Sequence, residues 1–180
     1  MGGAGSRGAG GDAPCGAGGR AEPLLGIADL EGWMRARGIA GQVVRLKEPT
    51  PTVAAAARVL GVGPEGIVKS LVFVAGGRPL LVVARGLARV DPAKVARAVG
   101  AGSARLAEPQ EVEAVTGYPV GATPPFGHLS PLPTLIDAGV AGGGAEVYAG
   151  GGAEDALLRI DPGELLRATG GRVADLVERR

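Results

Sequence analysis

Cysteine and histidine each occur once in the 180 residues, as Cys15 and His128, and aromatic side chains amount to 3%. A single cysteine excludes an intrachain disulfide and makes a reducing, cytoplasmic setting the expectation. One histidine and one cysteine cannot supply a zinc site of the usual composition. No run of carboxylates suggests a harder metal either, so neither metal nor cofactor is expected. So few rings mean that the core has to be aliphatic, and 46% hydrophobic residues are enough to build one in a chain of this length. Long apolar runs are missing too: 71–75 and 80–84 are strand-sized, so no membrane partner is expected. Residues 1–22 are mostly Gly and Ala. They lack the basic and apolar regions of a signal peptide and read as a disordered tail ahead of one folded domain, 23–180.

Net charge is +1, too little for a protein that coats long nucleic acid, and no DNA partner is expected. Its distribution is uneven: residues 23–106 carry roughly 12 basic and 5 acidic side chains, and 107–180 roughly 5 and 11. Either these are scattered solvated charges, or one face meets a few phosphates, as at one end of an RNA.

Ile27, Leu30, Trp33, Met34 and Arg37 recur at helical spacing and stop at Gly38, predicting a helix over 27–37 with Trp33 in the core. Residues 42–47 read as a strand, and Thr52 as the cap of a helix through Val53, Ala56, Ala57 and Leu60. Residues 67–74 and 79–84 form a hairpin around Gly76-Gly77-Arg78. Asp91-Pro92 opens a helix with Val95 and Val99 inward, and Glu108-Pro109 a short one ending near Thr116. Strands follow at 134–136, 145–149 and 156–160. Asp161 and Glu164 then stand in capping-box positions ahead of Leu165 and Leu166. Short strands outnumber helices and a hairpin adjoins helical connections. The class is therefore α+β, a single domain with a mixed sheet.

Several motifs fail on context. Gly61-Val62-Gly63-Pro64-Glu65-Gly66 spells GxGxxG but follows a helix and precedes a strand, the reverse of the dinucleotide-binding order. No P-loop is present. Ser130, His128 and Asp137 could be drawn as a triad, yet no serine sits in a GxSxG elbow.

Two features remain. Lys69 shares a strand face with Ile67, Leu71 and Phe73. It is either an edge lysine that reaches solvent or an amine needing a partner or an anionic ligand. Residues 116–128, Thr-Gly-Tyr-Pro-Val-Gly-Ala-Thr-Pro-Pro-Phe-Gly-His, form a loop stiffened by prolines. It is either a well-made turn or a surface whose N–H groups receive a small polar group.

The order of Leu60-Gly61-Val62, Ile67-Val68-Lys69-Ser70-Leu71-Val72, Gly117-Tyr118-Pro119-Val120-Gly121, Pro125-Phe126-Gly127-His128 and Leu132-Pro133-Thr134-Leu135-Ile136-Asp137 resembles the YbaK-like aminoacyl-tRNA deacylases. These are relatives of the editing domain inserted in bacterial prolyl-tRNA synthetases, and the resemblance covers about 27–178. It implies a mixed, mostly antiparallel curved sheet flanked by helices. It also implies a metal-independent, trans-acting hydrolase that clears the ester of mischarged tRNA. The partners implied are the acceptor end of such a tRNA and, further, an aminoacyl-tRNA synthetase.

By the resemblance Lys69 engages the terminal phosphate and Gly121, with its loop amides, receives the ester carbonyl. Thr52, Ser70, Gly117, Ala122, Thr123, Pro125, His128 and Ala149 border the substrate, although Thr52 also reads as a helix cap and His128 as a satisfied loop residue. Gly121-Ala122 stands where cysteinyl-clearing members have Gly-Gly, and Pro124-Pro125 where they have Ser-Pro. Ala149 replaces a small polar residue, Thr52 an aromatic, and Ala156, beside Asp155, an aspartate, so the amino acid removed stays open. Other readings are a non-catalytic module that binds an aminoacyl-tRNA end or a synthetase, and a hydrolase of other small acyl esters.

Overall fold

Proline and glycine set the helix limits. The computed structural model describes residues 24–50 and 52–178, and the expected tail with Cys15 lies outside the described residues. Helices α1 (Ile27–Arg37) and α2 (Val53–Leu60) end at left-handed Gly38 and Gly61, where a side chain would be strained. Helices α3 (Pro92–Val99), α4 (Pro109–Thr116) and α6 (Pro162–Thr169) each begin with proline, whose missing N–H costs nothing in a first turn, and end at left-handed glycines. Helix α5 (Ala138–Ala141) is one turn capped by the Asp137 carboxylate.

The strands form two open ladders. Strands β1 (Gly41–Arg45), β6 (Val147–Gly150) and β7 (Ala156–Ile160) make an antiparallel sheet in the order β1-β7-β6. The larger sheet runs β4-β2-β3-β5-β8, with β2 (Val68–Ala75), β3 (Arg78–Arg85), β4 (Ala104–Leu106), β5 (Thr134–Asp137) and β8 (Arg172–Ala174). There β3–β5 and β5–β8 are parallel and the other pairs antiparallel, giving the mixed, mostly antiparallel α+β arrangement. A lone bridge between Ile67 and Tyr148 joins the two sheets. Strands β4 and β8, three residues each, are too short for alternation to reveal.

Leu30, Val72, Val83, Ile136, Leu158 and Leu165 fill the main aliphatic core, which draws on both sheets, α1 and α6. Phe73, Val82 and Leu135 pack with Val95 of α3 in a second cluster. Val99, expected to point inward, is the last residue of α3 and 40% exposed, and Ala96 is buried instead. Trp33 is half-buried and stacks on Phe126 at 5.0 Å.

The ladder between β4 and β2 covers only Phe73–Ala75, continued by Ala107 N–H donating to the Val72 carbonyl at 2.9 Å. On that side the first half of β2 is therefore an open edge facing α2 and the start of α4. This edge makes room for the cleft.

The capping box expected at α6 is only half made. Asp161 accepts from the N–H groups of Gly163 and Glu164, but the Glu164 carboxylate accepts from Ala40 N–H at 2.6 Å and pairs with Arg167 at 2.5 Å. Arg167 also donates to the Gly38 carbonyl at 2.8 Å, so α6 is tied to the α1–β1 turn. A tertiary donor has displaced the local one.

The Arg167 guanidinium, and after it Ala40 N–H, hold the Glu164 carboxyl down at about 2 against an ordinary 4.5. A depressed carboxyl stabilises the fold above its unfolded pKa and loses that effect as pH falls toward its folded one. Thermal midpoints of wild type and Glu164→Gln are expected to differ at neutral pH and to converge as pH falls from 4.5 toward 2. A gap that stays constant over that range would contradict the tie.

Candidate functional site

A cleft of about 460 Å³ opens between α2, the open edge of β2, the β4–α4 junction and the tip of the 117–128 loop. Lys69, Ser70, Thr52, Gly121 and Thr123 all line it, so five of the sequence-predicted residues meet in one place. The remaining wall is largely aliphatic, with Val53, Ala56, Val112 and Leu157. Among the described residues that line it, Lys69 and Glu108 carry charge.

Lys69 lies in the half of β2 that pairs with β3 alone, directly across from Ala84. Its half-buried ammonium forms no ion pair with a carboxylate among the described residues. It donates to the carbonyls of Gly86 at 3.0 Å and Ala88 at 2.7 Å, in the segment that leaves β3. Gly86 N–H donates to the Ile67 carbonyl at 2.7 Å and Ala88 N–H to the Arg85 carbonyl at 3.0 Å, which fixes that segment. Arg85 adds a clamp by donating to the carbonyls of Gly139 and Glu65. Two neutral acceptors satisfy two of three N–H groups without cancelling the charge, and no acceptor among the described residues takes the third. Burial pushes the Lys69 pKa below the usual lysine value.

Ser70 Oγ is buried and has no hydrogen-bond partner among the described residues. A buried hydroxyl without a partner costs about 1–3 kcal/mol, so it suits a ligand or a water. The Thr52 hydroxyl accepts Ala55 N–H at 3.1 Å as the cap of α2, and its own proton stays available to the cleft.

The 117–128 segment closes on itself. Leu129 and Ser130 N–H groups donate to the carbonyls of Thr116 and Val115 at 3.0 and 3.2 Å, pinning the two ends of an Ω-type loop. Tyr118, Ala122 and Phe126 are buried inside it, whereas Val120 and Gly121 at its tip are exposed. Gly121 has φ +88°, so an L side chain there would be strained even though the space beyond is open. Ala122 N–H is spent on the Pro119 carbonyl at 3.1 Å. Among the loop amides without an acceptor in the described residues, those of Val120, Gly121 and Thr123 belong to residues that line the cleft.

The other expected residues sit elsewhere. Gly117 is the buried C-cap of α4, and Ala122 and Ala149 are core positions 1% and 0% exposed. Pro125 and His128 line a separate pocket beside Trp33 and Arg37. His128 Nε2 donates to the Pro124 carbonyl at 2.8 Å and its ring meets Tyr118 edge-on, so it is a satisfied loop residue. Burial lowers its pKa. The Ser130–His128–Asp137 triad is not assembled, because Asp137 is committed to Gly139 and Leu176 N–H. Among the described residues no three His, Cys, Asp or Glu side chains come together as a metal site.

Two residues escaped the sequence reading. Glu108, read only as a helix start, stands in the cleft wall because β4 delivers it there. Gly150, at the end of β6, is where the Thr123 carbonyl rests: a Cβ there would come within 2.3 Å of that oxygen. Gly152 N–H reinforces the contact by donating to the Ala122 carbonyl at 2.9 Å.

Residues 47–168 match the aminoacyl-tRNA editing domain family. The chain is 42% identical over 82 residues to a proline–tRNA ligase of Nitratidesulfovibrio vulgaris, which is 44% of this chain and 14% of the ligase. It is 38% identical over 90 residues to the proline–tRNA ligase of Geobacillus thermodenitrificans, 50% of this chain and 16% of that one. It thus spans about a seventh of the length of these ligases. A crystal structure described as a candidate trans-editing enzyme for prolyl-tRNA synthetase superposes with a TM-score of 0.79 at 41% identity, covering 85% of this chain and 97% of that one.

Gly150→Ala forces a methyl against backbone and is expected to destabilise the fold by about 1–3 kcal/mol, read as a lower denaturant midpoint. The amide signals of 121–123 should shift with it. An unchanged midpoint would mean that the loop does not rest on β6 as described.

Proposed function

The chain belongs to the aminoacyl-tRNA editing domain family, and we propose that it acts in trans as an aminoacyl-tRNA deacylase, hydrolysing the ester that joins a wrong amino acid to the terminal ribose of tRNA. The observation that carries this reading is the pairing, across one cleft, of a lysine whose charge is left uncancelled with loop amides that have no acceptor among the described residues.

In this reading the third N–H of Lys69 meets the phosphate of the terminal nucleotide, and the ester carbonyl lies against Gly121 and Thr123. Water attacks the carbonyl carbon, and the negative charge that gathers on the carbonyl oxygen falls on the two amides. Fixed donors aimed at a developing oxyanion are the largest single contribution in many acyl transfers. The bond to the ribose oxygen breaks, and the proton given up by the water ends on that oxygen, with the vicinal ribose hydroxyl as the nearest relay. The ester is already activated, so positioning and charge stabilisation suffice without a histidine base. Ser70 Oγ and the Thr52 hydroxyl supply further polar contacts in the wall.

A second hydrolytic site has a clear use: one methylene is worth only about 1–3 kcal/mol of discrimination in a pocket, so near-isosteric amino acids are mischarged. Likeness to proline–tRNA ligases over the editing region supports a synthetase-linked role and a cytoplasmic setting. Consistent with that setting, no described helix is long and apolar enough to cross a membrane.

Deacylation of a panel of mischarged tRNAs by wild type and Lys69→Met tests the proposal. Methionine keeps the apolar stem but lacks the ammonium, and is expected to lower single-turnover deacylation about 100-fold, the scale of a lost positioning contact. No turnover by wild type on any tRNA, with binding retained, would replace the enzyme by a binding module. Equal activity on free aminoacyl esters would remove tRNA from the reading.

A further inference from the structure

The cleft holds a second charge that the deacylase reading does not use. Glu108 follows Leu106 and Ala107, and the Phe73–Leu106 pairing with the Ala107–Val72 bond ends one residue before it, so Glu108 stands where the chain leaves the β2 edge to begin α4. Lys69 lies further along the same open edge of β2, and both side chains line the cleft.

The two opposite charges line the same cleft but form no ion pair among the described residues. Lys69 is turned to the carbonyls of Gly86 and Ala88. Arg105, the cation that senses Glu108, gives its guanidinium to Glu111 through two bonds of 2.7 Å. Glu111 also accepts the backbone N–H of Glu108 at 2.8 Å, which fixes the backbone from which the Glu108 side chain springs. Glu108 itself is solvent-exposed at the cleft wall, within reach of a ligand.

We propose that Glu108 is the subsite for the α-ammonium group of the aminoacyl moiety, so that the cleft recognises an amino acid ester with a free amino group and disfavours N-acylated or peptidyl esters. This rests on the deacylase reading for the identity of the ligand. An aminoacylated nucleotide carries a phosphate on one side of its ester and an ammonium on the other. The cleft likewise carries a cation and an anion that form no ion pair with each other among the described residues. The ammonium belongs at Glu108 because beside Lys69 it would meet a like charge whose hydrogen-bond acceptors are already taken. Leu71, Val112 and Leu106 also line the cleft, and a carboxylate accepting from an ammonium makes a charge-assisted hydrogen bond, stronger than a neutral one.

The probe is a 5′-phosphorylated 3′-(aminoacylamino)adenosine, whose amide link resists hydrolysis, with its α-amino group either free or acetylated. By calorimetry, wild type should bind the free-amino form about tenfold more tightly than the acetylated form, the scale of a hydrogen bond to a charged group. Glu108→Gln should bring the two affinities together by weakening the free-amino form alone, and Glu108→Asp should restore part of the difference. An equal preference in wild type and Glu108→Gln, or no preference in wild type, overturns the proposal. Because the probe is not cleaved, this outcome is independent of catalysis.

Deacylation of aminoacyl-tRNA and N-acetyl-aminoacyl-tRNA, each relative to its uncatalysed rate, is the second arm. The same collapse of preference is expected in Glu108→Gln. If wild type hydrolyses neither ester while the calorimetric preference persists, the deacylase reading fails and the ammonium subsite stands. A thermal midpoint for Glu108→Gln near that of wild type excludes misfolding as the cause.

Discussion

The shared bond of the Lys69 ammonium to two peptide carbonyls is the interaction on which the site depends. A half-buried amine must have acceptors, and a carboxylate would have been the stronger one. It would also have neutralised the charge. The carbonyls of Gly86 and Ala88 meet the hydrogen-bonding requirement and leave a net positive charge in the cleft wall. That arrangement needs the segment after β3 to bend back under β2, and it is held there by Gly86 N–H on Ile67 and by the Arg85 clamp. The cation is therefore set by backbone geometry on a paired strand, not by a flexible neighbour.

The opposite wall is built on a different principle. The 117–128 loop has no regular structure, yet its ends are pinned to α4 and its interior is filled by Tyr118 and Phe126, the latter stacked on Trp33. The β6–β7 turn supports it from outside through Gly150 and Gly152. Its exposed tip, Val120–Gly121, faces the cleft together with Thr123, and the amides of these three residues are unspent among the described residues. Few aromatics are present in the chain, and Tyr118, Phe126 and Trp33 are concentrated around this loop. Ring packing stiffens the loop while aliphatic packing holds the sheets.

Much of this was legible in the sequence where a local rule fixes the outcome. The hairpin around Gly76-Gly77, the Thr52 cap, the proline-started helices and the α+β class all follow from turn chemistry and alternation. The partition into two ladders was not legible, because it depends on which strands find one another and on two three-residue strands that carry no period. The site divided in the same way. Lys69, Ser70 and Gly121 come together as the family resemblance implied. The direction in which a loop side chain points has no periodic signal, and His128 turned out to face the Trp33 pocket. Glu108 could be named from sequence as a helix start, but its place in the cleft is a consequence of the β2–β4 register.

The central claim is that an aminoacylated adenosine end binds with its carbonyl at the loop tip and its phosphate at Lys69. Backbone amide NMR during titration with the uncleavable 3′-(aminoacylamino)adenosine 5′-phosphate tests it directly. The account predicts the largest shifts at Gly121 and Thr123, with accompanying shifts at Gly86 and Ala88 as the Lys69 ammonium takes up the phosphate. Shifts confined to Trp33, Phe126 and His128, with 121 and 123 unmoved, would contradict it.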